Sequence, residues 1–119
     1  MYGGERNPGA SNVKIEELNF DEKGLVPAVV QEEDTGEVLM IGFMNAEALH
    51  KTLEKRLVTF WSRTRGELWT KGDTSGNRLH LVRILYNCEQ STLLVKARLE
   101  GDAVCHTGNR TCFYRELDG

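Results

Sequence analysis

The sequence predicts an α+β fold, a β-rich single domain with one main helix. Three observations carry this reading. The chain has 119 residues, the size of one domain. Short apolar runs rich in Val, Leu, Ile and Thr recur between turn signals, which is the pattern of strands. One clear segment, from Asn45 to about Arg56, sets its apolar residues at helical spacing.

Residues 1–12 are polar and Gly-rich and read as a flexible tail ahead of a domain at 13–119. Val13 to Leu18 suits a short first strand, followed by a turn at Asp21-Glu22-Lys23-Gly24. Leu25 to Glu32 is apolar and β-branched and reads as a strand, with Pro27 marking its start or an edge. Asp34-Thr35-Gly36 is a turn signal, and Glu37 to Phe43 is a second apolar strand. Together they make the clearest hairpin in the chain. Asn45 can cap the helix, Ala48, Leu49, Leu53 and Leu57 supply its apolar spacing, and Lys55 and Arg56 sit where the helix dipole favours cations. Val58 to Ser62 and, after a turn at Gly66, Glu67 to Thr70 read as strands. Leu79 to Tyr86 and Thr92 to Leu99 are further strands. Gly101 and Asp102 turn the chain, and Thr111 to Leu117 suits a last strand. No repeat or low-complexity segment interrupts the domain.

The charge balance narrows the function. The apolar fraction is 39%, the charged fraction 28% and the formal net charge −3, values of a soluble globular protein. Nothing here favours nucleic acid or an anionic membrane as a partner. A phosphorylated small molecule is not excluded, since a few local cations can hold it. No apolar run approaches the roughly 20 residues that span a bilayer. The first twelve residues lack the apolar stretch of a signal peptide, so the expected compartment is the cytoplasm. There cysteines stay reduced, and an odd count of three does not suggest a disulfide framework. A chain this short buries only about two thirds of its unfolded surface, and dimerisation is a natural way to bury more.

The chemistry concentrates in two places. Cys88, Cys105 and Cys112 are soft ligands suited to zinc, and three thiolates plus a water make an open, catalytic-type site. Cys105 and Cys112 flank a polar loop that can bring both sulfurs to one ion. The bland alternative is that all three are small buried hydrophobes. Cysteine count alone leaves the two readings about even, and the polar context of Cys105, next to His106 and Gly108, tilts towards a ligand. His106 can bind the metal, act as general base on a metal-activated water, or be an ordinary surface histidine. His50 and His80 read as structural or exposed.

The second place is Trp69-Thr70-Lys71-Gly72-Asp73-Thr74-Ser75-Gly76-Asn77. Small and hydroxyl residues beside a lysine can cradle a phosphate with N–H groups and hydroxyls. It is not a Walker A pattern, and alone it is equally an ordinary polar turn. Ser62-Arg63-Thr64-Arg65 adds two cations near it in sequence, or a solvated basic face.

Taken together, these segments resemble one family. Trp69 to Asn77, Cys88, Cys105-His106-Thr107-Gly108 and Cys112-Phe113 resemble phosphoribosyl-AMP cyclohydrolase of histidine biosynthesis. So do Leu25 to Gln31, Thr35 to Met40, Met44 to Leu49 and Trp61 to Arg65. The resemblance runs in one register over about residues 24–114. It implies zinc-dependent hydrolysis of the N1–C6 bond in the adenine ring of N1-(5-phosphoribosyl)-AMP. It implies an intertwined homodimer whose zinc takes Cys88 from one chain and Cys105 and Cys112 from the other, with His106 moving a proton. Arg63, Arg65, Lys71, Thr74, Ser75 and Asn77 become the candidate contacts to the phosphorylated substrate.

One departure matters. The family pattern around the first zinc cysteine is Asp-Cys-Asp-x-Asp, whose aspartates bind magnesium. Here the segment is Asn87-Cys88-Glu89-Gln90-Ser91, so three carboxylates have become one. Magnesium wants oxygen ligands, mostly carboxylates and water, so its hold at Asn87, Glu89 and Ser91 should weaken sharply. Asp73 also stands where the family usually has Glu, and Leu79 where it often has Gln. Three readings follow: the family activity with a weakened second metal site, a paralogue using the same zinc-activated water on another purine-like or phosphorylated substrate, and a zinc-stabilised binding dimer. His106 and the Lys71–Asn77 loop argue against the last, since a structural zinc needs neither.

Overall fold

Two antiparallel hairpins, laid side by side, make the main sheet. In the computed structural model, which describes residues 13–119, the first hairpin is β1 (Val26–Glu32) with β2 (Val38–Met44). The second is β5 (Leu79–Tyr86) with β6 (Leu93–Leu99). They join through a parallel seam between β1 and β6, giving the order β2-β1-β6-β5. Between them in sequence come the helix α1 (Ala46–Lys55) and a small second hairpin sheet, β3 (Thr59–Ser62) with β4 (Glu67–Thr70). The architecture is α+β and β-rich, with one helix among the described residues. The tail expected at 1–12 lies outside the described residues.

Alternation explains how the sheet buries one face. Along β1, Val26, Ala28, Val30 and Glu32 point inward, while Pro27, Val29 and Gln31 are half-buried. Leu93, Val95 and Ala97 on β6 and Leu79 and Leu81 on β5 continue the same core. Glu32 is a buried carboxylate, tolerated because its oxygens accept the N–H of Asp34 at 2.9 Å and of Leu99 at 3.3 Å. β1 is an inner strand, so Pro27 does not mark an edge. It pairs with Phe43 of β2 and precedes Ala28, the first residue that faces β6, so its missing N–H falls at the start of the strand.

The helix starts where the Asn45 side chain accepts the Ala48 N–H at 2.8 Å, and it stops at Arg56, which turns left-handed at φ 62°. It packs on β3, on β2 and on the segment before β1. Its buried face is Ala48, Leu49 and Thr52; Leu53 is 42% exposed, so the stripe runs through a threonine in place of the expected leucine. Thr52 earns its burial by hydrogen bonding: its hydroxyl donates to the Ala48 carbonyl at 2.9 Å and accepts the Thr59 N–H at 2.9 Å.

Two expected strands are absent from the described residues. Val13 to Leu18 contains a single 3-10 turn at Ile15–Glu17, where the Glu17 N–H donates to the Lys14 carbonyl at 2.9 Å and the Leu18 N–H to the Ile15 carbonyl at 3.1 Å, local bonds in place of a strand ladder. Thr111 to Leu117 forms no strand. It fastens to β2 by the Cys112 N–H and the Thr111 hydroxyl instead.

That fastening has a backbone cause. β1 and β2 pair Val30 with Met40 and Gln31 with Val38, which leaves Leu39 as an extra, bulged residue. Its side chain is fully buried, and its carbonyl is free of the ladder to accept the Cys112 N–H at 2.8 Å. A bulge in a local hairpin thus sets the position of a cysteine seventy-odd residues later.

Candidate active site

The loop from Lys71 to Asn77 is shaped by glycine. Gly72 has φ +88°, and a Cβ there would collide with the backbone of Asn77. The loop closes on itself where the Gly76 N–H donates to the Gly72 carbonyl at 2.7 Å and the Asn77 N–H to the Ser75 hydroxyl at 3.2 Å. Phe60 supports it from below through Trp69, the two ring centroids lying 5.6 Å apart, and the Lys71 ammonium stands 5.4 Å from the Trp69 ring.

The second wall is the turn Cys105-His106-Thr107-Gly108. The Gly108 N–H donates to the Cys105 carbonyl at 2.9 Å, and the Cys105 N–H to the Asn109 carbonyl at 3.1 Å. This folds the chain back so that Cys112 comes against Cys105. Between the two walls lies an open cleft of about 330 Å³. Lys71, Thr74, Ser75 and Asn77 line one side and Cys105 and His106 the other. This is the lower end of the size range of small-molecule sites.

The thiols are electrostatically unequal. The Thr107 hydroxyl donates to the Cys105 sulfur at 3.0 Å and itself accepts from the Asn109 amide at 2.9 Å. Hydrogen bonds from Thr107, with lesser help from Cys112 and the Lys71 charge, hold the Cys105 thiol below its ordinary value. Burial raises the Cys112 thiol, and the neighbouring Cys105 raises it further. From the sequence, Thr107 is named only as part of the Cys105–Gly108 motif, and neither it nor Asn109 is given a role. Their signal was a hydroxyl two positions after a candidate ligand in a polar turn, a spacing that favours side-chain hydrogen bonds within the turn.

Not every candidate joins this cleft. Cys112 hangs on β2, whereas Cys88 follows the end of β5, and these are opposite edges of the sheet. Three strand spacings separate such edges, about 14 Å. Among the described residues no three His, Cys, Asp or Glu side chains come together in a metal-binding group. Asn87, Glu89 and Ser91 share the β5–β6 turn with Cys88. Arg63 and Arg65 stand at the tip of the β3–β4 hairpin, where Ser62 pairs with Glu67; Lys71 leaves the other end, where Thr59 pairs with Thr70. The Arg63 guanidinium lies over the Phe43 ring at 4.0 Å, and Arg65 pairs with Glu67 at 3.5 Å.

Cys105 and Cys112 offer two soft sulfurs side by side, donors of the kind zinc takes, one of them already disposed to ionise, and no third His, Cys, Asp or Glu completes a metal-binding group with them among the described residues. No helix among the described residues is long and apolar enough to cross a membrane.

Comparison with known proteins places these elements together. The phosphoribosyl-AMP cyclohydrolase family matches residues 40–114, a stretch containing both walls of the cleft and all three cysteines. A phosphoribosyl-AMP cyclohydrolase of Archaeoglobus fulgidus is 50% identical over 103 residues, covering 87% of this chain and 94% of that protein. One of Desulfatibacillum aliphaticivorans is 50% identical over 104 residues, covering 87% and 83%. The histidine biosynthesis bifunctional protein HisIE of Caldanaerobacter subterraneus is 51% identical over 106 residues, 89% of this chain and 51% of that protein. The chain therefore spans about half the length of its bifunctional relatives and most of the length of the single-function ones. A match over most of the domain, at half of all positions and across both cleft walls, means that this chain belongs to the phosphoribosyl-AMP cyclohydrolase family.

Proposed function

We propose that the chain is a zinc-dependent, cytoplasmic hydrolase that opens the adenine ring of N1-(5-phosphoribosyl)-AMP at the N1–C6 bond, in histidine biosynthesis. The observation that carries this is the cleft itself. It joins a glycine-shaped loop bearing Lys71, Thr74 and Ser75 to a wall bearing Cys105 and His106.

The residues divide the work. Lys71, the hydroxyls of Thr74 and Ser75, and Asn77 bind the phosphorylated end of the substrate. Arg63 and Arg65, at the far tip of the β3–β4 hairpin, stand outside this cleft. Cys105 and Cys112 hold zinc with Cys88 of a second copy, since Cys88 sits on the far edge of its own sheet. Zinc bound there supplies a Lewis acid that brings the pKa of a water towards about 7. Its chemistry would be to make such a water nucleophilic enough for hydrolysis of the N1–C6 bond. His106 takes the proton and delivers it to N1 as the N1–C6 bond breaks, leaving a carboxamide at C6.

Exposed apolar side chains support the second copy. Val38, Ile41, Phe113 and Tyr114 are each at least 40% exposed, and they lie on β2 or on the segment fastened beside it. A paralogue with another substrate gains no support from relatives that share half their residues and carry the cyclohydrolase name.

The direct test is turnover of N1-(5-phosphoribosyl)-AMP by the zinc-loaded protein. Ring opening is expected, and a folded, zinc-replete dimer without turnover would sink the reading. Shared ligation has its own test. C88S and C105S proteins should each be inactive, and a refolded equal mixture should regain about a quarter of full activity, because half the dimers are mixed and each carries one intact site.

A further inference from the structure

Cys88 is carried by a turn in which the Asn87 side chain and several main-chain groups are held by hydrogen bonds. The Asn87 side-chain oxygen accepts the N–H of Ser91 at 2.8 Å and of Thr92 at 3.0 Å. Its amide nitrogen donates to the Ser91 hydroxyl at 3.2 Å. The main chain adds Asn87 N–H to the Thr92 carbonyl and Gln90 N–H to the Asn87 carbonyl, with Gln90 in the left-handed region at φ 56°. The segment before β1 closes the turn from outside. The Asn19 amide donates to the Glu89 carbonyl, the Asn19 N–H to the Gln90 carbonyl, and the Gln90 amide to the Glu17 carbonyl, all at 2.8 Å.

These are the positions where the family resemblance implies magnesium, and the residues present do not fit it. A hard dication needs several free oxygens, carboxylates above all. Here the Asn87 oxygen and three carbonyls of the turn are hydrogen-bonded, the Ser91 hydroxyl accepts from Asn87, and only Glu89 offers a carboxylate. Both aspartate-to-neutral exchanges fall on the residue pair that now bonds to itself.

We infer that the Asn87–Ser91 turn replaces a divalent cation with neutral hydrogen bonds, so that Asn87 and Gln90 position Cys88 and the turn takes no magnesium. The positioning half rests on the zinc reading above; the magnesium half does not. Outer partners that orient a ligand typically change metal affinity by about 10- to 100-fold when removed.

The experiment uses zinc-loaded full chain and manganese(II) as a paramagnetic probe of the turn. Wild type should leave manganese free in its spectrum up to millimolar protein. An N87D/S91D variant, with three carboxylates at 87, 89 and 91, should bind it at least about tenfold more tightly. Micromolar manganese binding by wild type that disappears in E89Q would overturn the inference. Zinc release to a chromophoric chelator reads the positioning role. N87A should release zinc about tenfold faster, while N87D, which keeps the accepting oxygen, stays near wild type. Equal release from N87A and wild type would refute that role. A wild type that holds no zinc would refute the proposed function instead, and the manganese titration of the same protein would still decide the turn.

Discussion

The Thr107 hydroxyl stands 3.0 Å from the Cys105 sulfur and donates to it, while the Asn109 amide feeds the same hydroxyl from behind. A hydrogen bond to sulfur favours the thiolate, so the Cys105 pKa falls and more thiolate is present at neutral pH. Thr107→Val keeps the shape and deletes the donor. In metal-free protein the midpoint of Cys105 ionisation should therefore move to higher pH, and alkylation at pH 7 should slow. Peptide mass mapping of iodoacetamide labelling against pH measures this. An unchanged profile would show that Thr107 does not act on the thiol.

Gly42 gives a stability prediction. A Cβ there would lie 2.6 Å from the Phe60 ring, which is fully buried under β2. Gly42→Ala must push that ring off its site, at a cost of about 1–3 kcal/mol. Urea unfolding should show a lower midpoint with an unchanged slope.

Thr52 gives a second. Thr52→Val would leave the buried Thr59 N–H without its acceptor, costing about 1–3 kcal/mol. Thr52→Ser keeps both hydrogen bonds and should lose less. If the two variants unfold alike, the hydroxyl is not what makes the site tolerant of a polar residue.

The loop glycines separate strain from collision. Both Gly72 and Gly76 have positive φ, but a Cβ at Gly72 meets the Asn77 backbone while one at Gly76 meets open space. Gly76→Ala should cost about 1–2 kcal/mol of backbone strain and leave KM nearly intact. Gly72→Ala should displace Ser75 and Asn77 and lower kcat/KM by about 100-fold, the scale of an ångström-level misplacement. Steady-state kinetics on both variants tests the contrast.

Local signals in the sequence were reliable because their causes are local. The Asp34–Gly36 turn, the Asn45 cap and the Arg56 stop depend on residues within one turn of each other. What escaped was set by partners far away in the chain. Nothing near Leu39 announces a bulge, which exists because Val30 and Gln31 pair on either side of it. Thr111 to Leu117 has strand-like composition but meets β2 where the ladder is already irregular. The two cleft walls were legible as motifs, and their facing arrangement was not. Nor was the distance between Cys88 and Cys112, which follows from the order of strands and not from spacing in sequence.

That order also dictates when the molecule can become itself. β1 finds β2 almost at once, but its other edge waits for β6, with Ala28 facing Leu93 across the parallel seam. Contacts so distant in sequence form slowly. A ribosome-bound chain that has delivered β1 but not β6 presents an unpaired edge from Ala28 to Glu32, apolar over its first three residues, the kind of seam that recruits strangers. The β5–β6 hairpin closes that seam by docking as a unit. The wall bearing Cys105 and His106 is synthesised after both hairpins of the sheet, so the cleft cannot be completed until β6 has emerged.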